Sequence, residues 1–206
     1  MENKISFFVI EDHALTNLGI QQILKDKAGL VCKGSAAEKA EAFEKLAKLD
    51  MKGQLPQILI LDLYLGEYSG IDILREVSLH FPSIKTIVYS MYSNPGVVTI
   101  VIEAGAKAFV SKAGAVEELL HAVEKVSAGE LYIQKELTDS LEIYKNLADS
   151  LTKNERAILN KLLERKTKSQ VAQELEMNEI SLDNYLFRVY AKTGCKNHEE
   201  LIARFG

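Results

Sequence analysis

Along the first 128 residues, short apolar runs alternate with segments whose apolar positions recur every three or four residues. The runs at 4–10, 30–34, 57–61, 84–89 and 107–110 have the length of strands. Helical periodicity fills about 14–27, 36–49, 70–80, 96–104 and 115–128. Five βα units at this spacing predict a doubly wound, five-stranded parallel sheet with helices on both faces. Ile58-Leu59-Ile60-Leu61 and Ile87-Val88 are continuously apolar, as strands buried on both sides must be, and so argue for fold rather than function. Gly105 fits a helix stop before the last strand, and 127–130 closes the domain.

The pattern changes after that point. In 129–150, Leu137, Leu141, Tyr144 and Leu147 fall at helical spacing with few Pro or Gly, which predicts a partly helical linker instead of a flexible tether. Thr152 and Glu155 then form the two halves of a capping box ahead of Ala157, Ile158, Leu162 and Leu163. Periodic segments at 169–176 and about 180–192, joined by the polar Met177-Asn178-Glu179, and a last one at 197–205 after Gly194 complete the chain. The expectation for 151–206 is a small all-α domain of four helices around a helix-turn-helix.

A chain of 206 residues that is 47% hydrophobic can supply both cores. Its net charge of −4 divides as −3 over 1–128, −3 over 129–150 and +2 over 151–206. An acidic front and a mildly basic end suit a metal site followed by a nucleic-acid module, although +2 falls short of the basic face usual in such modules. Cys32 and Cys195 stand alone, without metal-ligand spacing to His13, His80, His121 or His198, which fits a reducing, cytoplasmic setting. The opening residues lead into a short strand, so neither a signal peptide nor a membrane span is expected.

Chemistry collects where the apolar runs stop. Glu11 and Asp12 follow the first strand, Asp62 the third, Ser90 ends the fourth, and Lys112 lies just past the fifth. In open parallel sheets, ligands bind beyond the carboxyl ends of the strands. Three carboxylates delivered there make an all-oxygen site for a hard cation, Mg²⁺ before others. A hydroxyl and an ammonium at the same edge complete the surroundings a phosphoryl group needs, since its transfer is mostly positioning and charge neutralisation. Taken singly, Asp62 reads as a helix cap, Lys112 as a surface partner of Glu117 or Glu118, and the acid pair as a solvated turn. Their common register at successive strand ends favours the site, while Phe109 fits a core role and a functional one equally.

Glu11-Asp12-His13, Asp62 with Gly70 eight positions on, Ser90, and Phe109 three before Lys112 resemble the receiver domain of two-component response regulators, over roughly 1–128. From Leu151 onward the chain is similar to the helix-turn-helix effector of the LuxR-type (NarL/FixJ-like) branch. The resemblance implies a transcriptional regulator, not an enzyme, phosphorylated on Asp62 by a sensor histidine kinase, binding DNA and forming homodimers on phosphorylation. It further implies Mg²⁺ held by Glu11, Asp12, Asp62 and the Tyr64 carbonyl, phosphoryl contacts from Ser90 and Lys112, and a switch pair, Ser90 and Phe109. It assigns His13 no chemistry.

Two departures from the family pattern stand out. Gly66 occupies the loop position that is usually Pro. In the recognition helix, Asp183 and Phe187 replace residues that normally face the groove, and early in the preceding helix Ser169 replaces a phosphate-contacting Lys. The nearby cations are Lys166, Lys168, Arg188, Lys192 and Lys196, so the expected DNA contacts are Lys168, Asn184, Arg188 and Lys192. An output that binds DNA and one that is a degenerate protein-interaction module both remain open. An aspartyl-phosphate hydrolase is disfavoured, because Leu63 and Tyr64 stand where its second acid is needed.

Overall fold

The computed structural model describes residues 5–26, 30–66 and 68–205. Lys4 and Lys27, the expected start of the first strand and end of the first helix, lie outside the described residues. The chain divides into two compact units: residues up to Met91 with Val101–Gln134, and Tyr92–Ile100 with Lys135 onward.

The first unit is built from β1 (Ile5–Ile10), α1 (Ala14–Asp26), β2 (Leu30–Ala36), α2 (Lys39–Met51), β3 (Ile58–Leu61), the short hairpin β4 (Tyr64–Leu65) and β5 (Tyr68–Ser69), α3 (Gly70–His80), β6 (Lys85–Ser90), the end of α4 (Pro95–Glu103), β7 (Ala108–Ser111), α5 (Val116–Ser127) and β8 (Tyr132–Ile133). The main sheet runs β2-β1-β3-β6-β7-β8, and every pairing in it is parallel. The chain leaves β1 toward one side and returns on the other as β3, so the topological switch point lies where β1 and β3 end, at Glu11 and Asp62.

Side chains alternate across the strands. Phe7, Val9, Ile58, Ile60, Ile87, Ala108 and Val110 pack with Ile20, Leu24, Leu119, Val123 and Val126 of α1 and α5. Phe8, Ile10, Leu59, Leu61, Val88 and Phe109 are equally buried, and the pleat turns them to the opposite face. With about 25 cal/mol gained per Å² of apolar surface removed from water, this double-sided burial is the main stabilising term.

Two elements differ from the sequence expectation. The second helix begins at Lys39 rather than 36, because β2 continues through Ala36, paired with Ile10, and Glu38 stays extended ahead of the helix. A sixth strand, β8, extends the sheet inside the stretch read as linker. Gln134 anchors it, its buried Oε1 accepting from the Ser111 backbone N–H at 3.0 Å.

The second unit holds the first part of α4 with α6 (Lys135–Asp149), α7 (Lys153–Leu163), α8 (Lys168–Glu174), α9 (Glu179–Thr193) and α10 (His198–Phe205). The capping box read at Thr152 and Glu155 is formed, and Thr167 with Gln170 makes a second one opening α8. Asn178 caps α9, and Gly194 ends it at φ 69°, a conformation that costs little without a side chain. Ile158, Leu159, Leu162, Leu163, Val171, Leu182, Leu186, Val189, Leu201 and Phe205 form the core beneath the helix-turn-helix of α8 and α9. Gly96 packs closely within this unit: a Cβ there would lie 2.4 Å from Leu163 Cδ1 and 2.5 Å from the Phe205 carbonyl oxygen.

Candidate functional site: the carboxylate crevice and the recognition helix

At the switch point, the end of β1 delivers Glu11 and Asp12 and the end of β3 delivers Asp62. Glu11 is 1% and Asp62 6% exposed. Burying two anions this close needs compensation, and Lys112 supplies it. Its ammonium donates to Glu11 Oε2 at 2.6 Å and to Asp62 Oδ2 at 2.7 Å. The other oxygen of each carboxylate accepts from backbone: Glu11 Oε1 from His13 N–H at 3.1 Å, Asp62 Oδ1 from Leu63 N–H at 2.7 Å. Burial pushes the Glu11 carboxyl above its ordinary range, with Lys112 opposing that shift. For Lys112, burial works against the charge, but hydrogen bonds to Asp62 and Glu11 outweigh it and hold the ammonium above its usual range.

Ser90, fully buried, ends β6 beside Ser111 of β7, and its carbonyl accepts the Lys112 backbone N–H at 2.8 Å. The hydroxyl strand end and the ammonium loop are thereby tied together. Phe109 is fully buried in β7, paired with Val88 on one side and Ile133 on the other.

The donors suit a hard cation. Among the described residues, one group of possible ligands has its atoms within 4.8 Å of each other: Glu11, Asp12 and His13. Asp12 is partly exposed, and the His13 ring, 82% exposed, sits 3.3 Å from Asp12 Oδ1. Asp62 joins these acids through Lys112 and is not a member of that group. Tyr64 opens β4 two positions after Asp62. The carboxylate oxygens of Glu11, Asp12 and Asp62 at this one sheet edge favour Mg²⁺ or Ca²⁺ over softer metals.

Sequence reading missed one supporting residue. Asn17, buried in α1, donates from Nδ2 to the Glu11 carbonyl at 3.0 Å and holds the acidic turn against the helix. A signal was there: Asn17 is the polar member of a buried series with Ile20 and Leu24.

The loop after Asp62 explains two glycines. Gly66 adopts φ +60°, which turns the chain between β4 and β5 and which Pro, locked near −65°, cannot adopt. Gly70 donates its N–H to the Leu63 carbonyl at 2.8 Å, and a Cβ on it would stand 2.4 Å from the Asp62 carbonyl oxygen and 2.5 Å from Leu63 Cα. Gly70→Ala therefore displaces either α3 or the backbone carrying Asp62. The expected cost is about 1–3 kcal/mol in urea unfolding, with slower phosphoryl uptake. Gly66→Ala meets nothing within 4 Å of its added Cβ, costs only the strain of its left-handed backbone, about 1–2 kcal/mol, and keeps phosphoryl uptake. Equal uptake by Gly70→Ala and wild type would show that this close approach is dispensable.

In the second unit, the expected DNA contacts are not equally available. Lys168, at the start of α8, pairs with Asp183 Oδ1 of α9 at 2.5 Å. Lys192 donates to the buried carboxylate of Glu155 at 2.6 Å and to the Ser150 carbonyl at 3.2 Å. Lys161 and Lys166 both pair with Glu174. Arg188 is exposed, its guanidinium 5.3 Å from the centre of the Tyr185 ring, and Asn184 is exposed on the outer face of α9.

Residues 7–124 match the response regulator receiver domain family, and residues 149–205 match the bacterial regulatory proteins of the luxR family. The chain belongs to the response regulator family: it is a receiver joined to a LuxR-type DNA-binding domain. The transcriptional regulatory protein UhpA of Escherichia coli is 28% identical over 200 residues, 97% of this chain and 97% of UhpA. DesR of Bacillus subtilis is 29% identical over 202 residues, covering 97% of this chain and 96% of DesR. Among solved structures, RcsB of Salmonella enterica serovar Typhimurium bound to promoter rprA with phosphomimetic BeF₃⁻ has the same fold, with TM-score 0.74, 21% identity and 98% of each chain covered. Among the described residues, no helix is long and apolar enough to cross a membrane.

Proposed function

We propose that this response regulator accepts a phosphoryl group on Asp62 from a sensor histidine kinase in the cytoplasm and then regulates transcription as a DNA-bound homodimer. The observation that carries this reading is the Lys112 ammonium bridging Asp62 and Glu11 at the switch point, with Ser90 on the adjoining strand end. Asp62 attacks phosphorus through one carboxylate oxygen; the bond from phosphorus to the kinase imidazole nitrogen breaks, and its electron pair returns to the ring. Glu11, Asp12, Asp62 and the Tyr64 carbonyl would hold Mg²⁺, which would supply charge neutralisation for the phosphoryl oxygens. Lys112 then pairs with a phosphoryl oxygen instead of Asp62 Oδ2, and the Ser90 hydroxyl donates to another. That exchange is the local charge event of the switch, with Phe109 as its buried partner in β7. Ser90 also lies five positions ahead of α4, whose first residues belong to the same compact unit as the effector helices.

On DNA, Arg188 contacts phosphate directly, while Lys168 and Lys192 do so by exchanging Asp183 and Glu155 for phosphate oxygens. Incubation of the full chain with acetyl phosphate and Mg²⁺ is expected to add one phosphoryl group by intact mass, and none with EDTA. Fluorescence anisotropy on generic duplex is expected to show tighter binding after phosphorylation. Asp183→Asn releases Lys168, so it should tighten that binding and steepen the salt slope by about one unit. Absence of Mg²⁺-dependent labelling, or of any phosphorylation-dependent gain in DNA affinity, overturns the reading.

A further inference from the structure

The outer face of α9 carries a stripe whose chemistry departs from that of its flanks. Ile180, Asn184, Phe187 and Ala191 follow each other at spacings of four, three and four, one line on a helix, opposite the buried Leu182, Leu186, Val189 and Thr193. Ile180 is 78% and Phe187 76% exposed. Such exposure of two large apolar side chains on a short helix costs solubility and calls for an occupant. The stripe is not a continuous apolar patch, because an amide stands between the two apolar groups and charged groups border it on both sides. On one edge Lys168 cancels Asp183 at 2.5 Å; on the other stands the exposed Arg188.

The exposed Arg188 on one edge and, on the other, a Lys168 that passes from Asp183 to phosphate as proposed above match a groove walled by two phosphate backbones around a narrow apolar and amide line. They do not match a broad protein surface, which would favour apolar residues at the centre. From this, and resting on the DNA-binding reading above, we infer that α9 reads A·T base pairs in the major groove: Asn184 through the N6 and N7 edge of adenine, and Ile180 and Phe187 through the C5 methyl groups of thymine. The chemistry is specific. A side-chain amide matches adenine's donor and acceptor as a pair, and the thymine methyl is the apolar group the major groove offers. Asp183 opposes this contact once Lys168 turns to phosphate, and that is the penalty Asp183→Asn removes.

The test is selection of bound duplexes from a randomised pool by the full chain with beryllofluoride and Mg²⁺, followed by resynthesis of the selected site with deoxyuridine in place of thymidine. A·T pairs are expected to dominate the half-sites. Each contacted methyl removed should weaken binding roughly fourfold, the burial value of one such carbon. Phe187→Ala should abolish the difference between thymidine and deoxyuridine at its position. Asn184→Ala should lose about tenfold at the selected site while binding generic duplex as before. Both side chains are exposed, so these variants keep the fold. A selected site indifferent to deoxyuridine and to both variants overturns the inference and leaves the DNA-binding reading standing. Failure to bind any duplex, in protein that takes up phosphate normally, overturns both and assigns the stripe to a protein partner.

Discussion

Asp62→Asn is expected to lower phosphoryl uptake from acetyl phosphate by more than about a thousandfold, the scale on which removal of a nucleophile acts. The loss comes from chemistry and not from folding. An amide matches the carboxylate in size, and its oxygen still accepts the Leu63 N–H that Asp62 Oδ1 now accepts at 2.7 Å. Its NH₂ must face the Lys112 ammonium, two donors opposed, at a cost of about 1–2 kcal/mol. Against this, removing the Asp62 charge relieves a repulsion that now helps push the Glu11 carboxyl upward. Stability is therefore expected to change by little while labelling disappears. Mg²⁺-dependent labelling that persists in the variant at another residue would reject Asp62 as the acceptor.

How much of this was legible in the sequence depends on distance along the chain. Buried parallel strands stop at an abrupt polar residue, so Glu11, Asp12, Asp62, Ser90 and Lys112 were readable as strand-end groups and their common edge followed from topology. The capping box of Thr152 and Glu155 was readable because its parts are local. Gly66 looked like a departure from the family pattern, and only its left-handed backbone shows that it builds the hairpin after Asp62. The two-residue strand β8 is too short to show periodicity, and Gln134, which anchors it, bonds across the domain to Ser111. Ion pairs between separate helices left no sequence signal. Asp183 reads as bare repulsion toward DNA until Lys168 is found on it, and Lys192 reads as a phosphate contact until Glu155 is found beneath it.

Lys112→Met is expected to destabilise the metal-free protein by about 3–5 kcal/mol near neutral pH, because it strands two buried carboxylates without their shared cation. Methionine keeps the length and apolar stem of lysine, so the loss reports charge more than packing. The pH dependence has a definite sign. Glu11 already titrates above its unfolded value, through burial. A carboxyl whose folded pKa is raised adds stability below its unfolded pKa and loses it as pH rises through the folded one. Without Lys112 the Glu11 value rises further, so the deficit should be largest at about pH 7.5 and shrink toward about pH 5. Mg²⁺ provides a second readout. With Glu11 and Asp62 as the proposed ligands, Lys112 and a divalent cation would compete for their oxygens, so the variant should bind Mg²⁺ more tightly and regain part of its stability as the ion is added. Urea unfolding at the two pH values, with Mg²⁺ and with EDTA, measures both effects. A deficit that is independent of pH and unmoved by Mg²⁺ would mean that Lys112 acts in this crevice through packing alone, and that its ammonium does not balance the phosphoacceptor site.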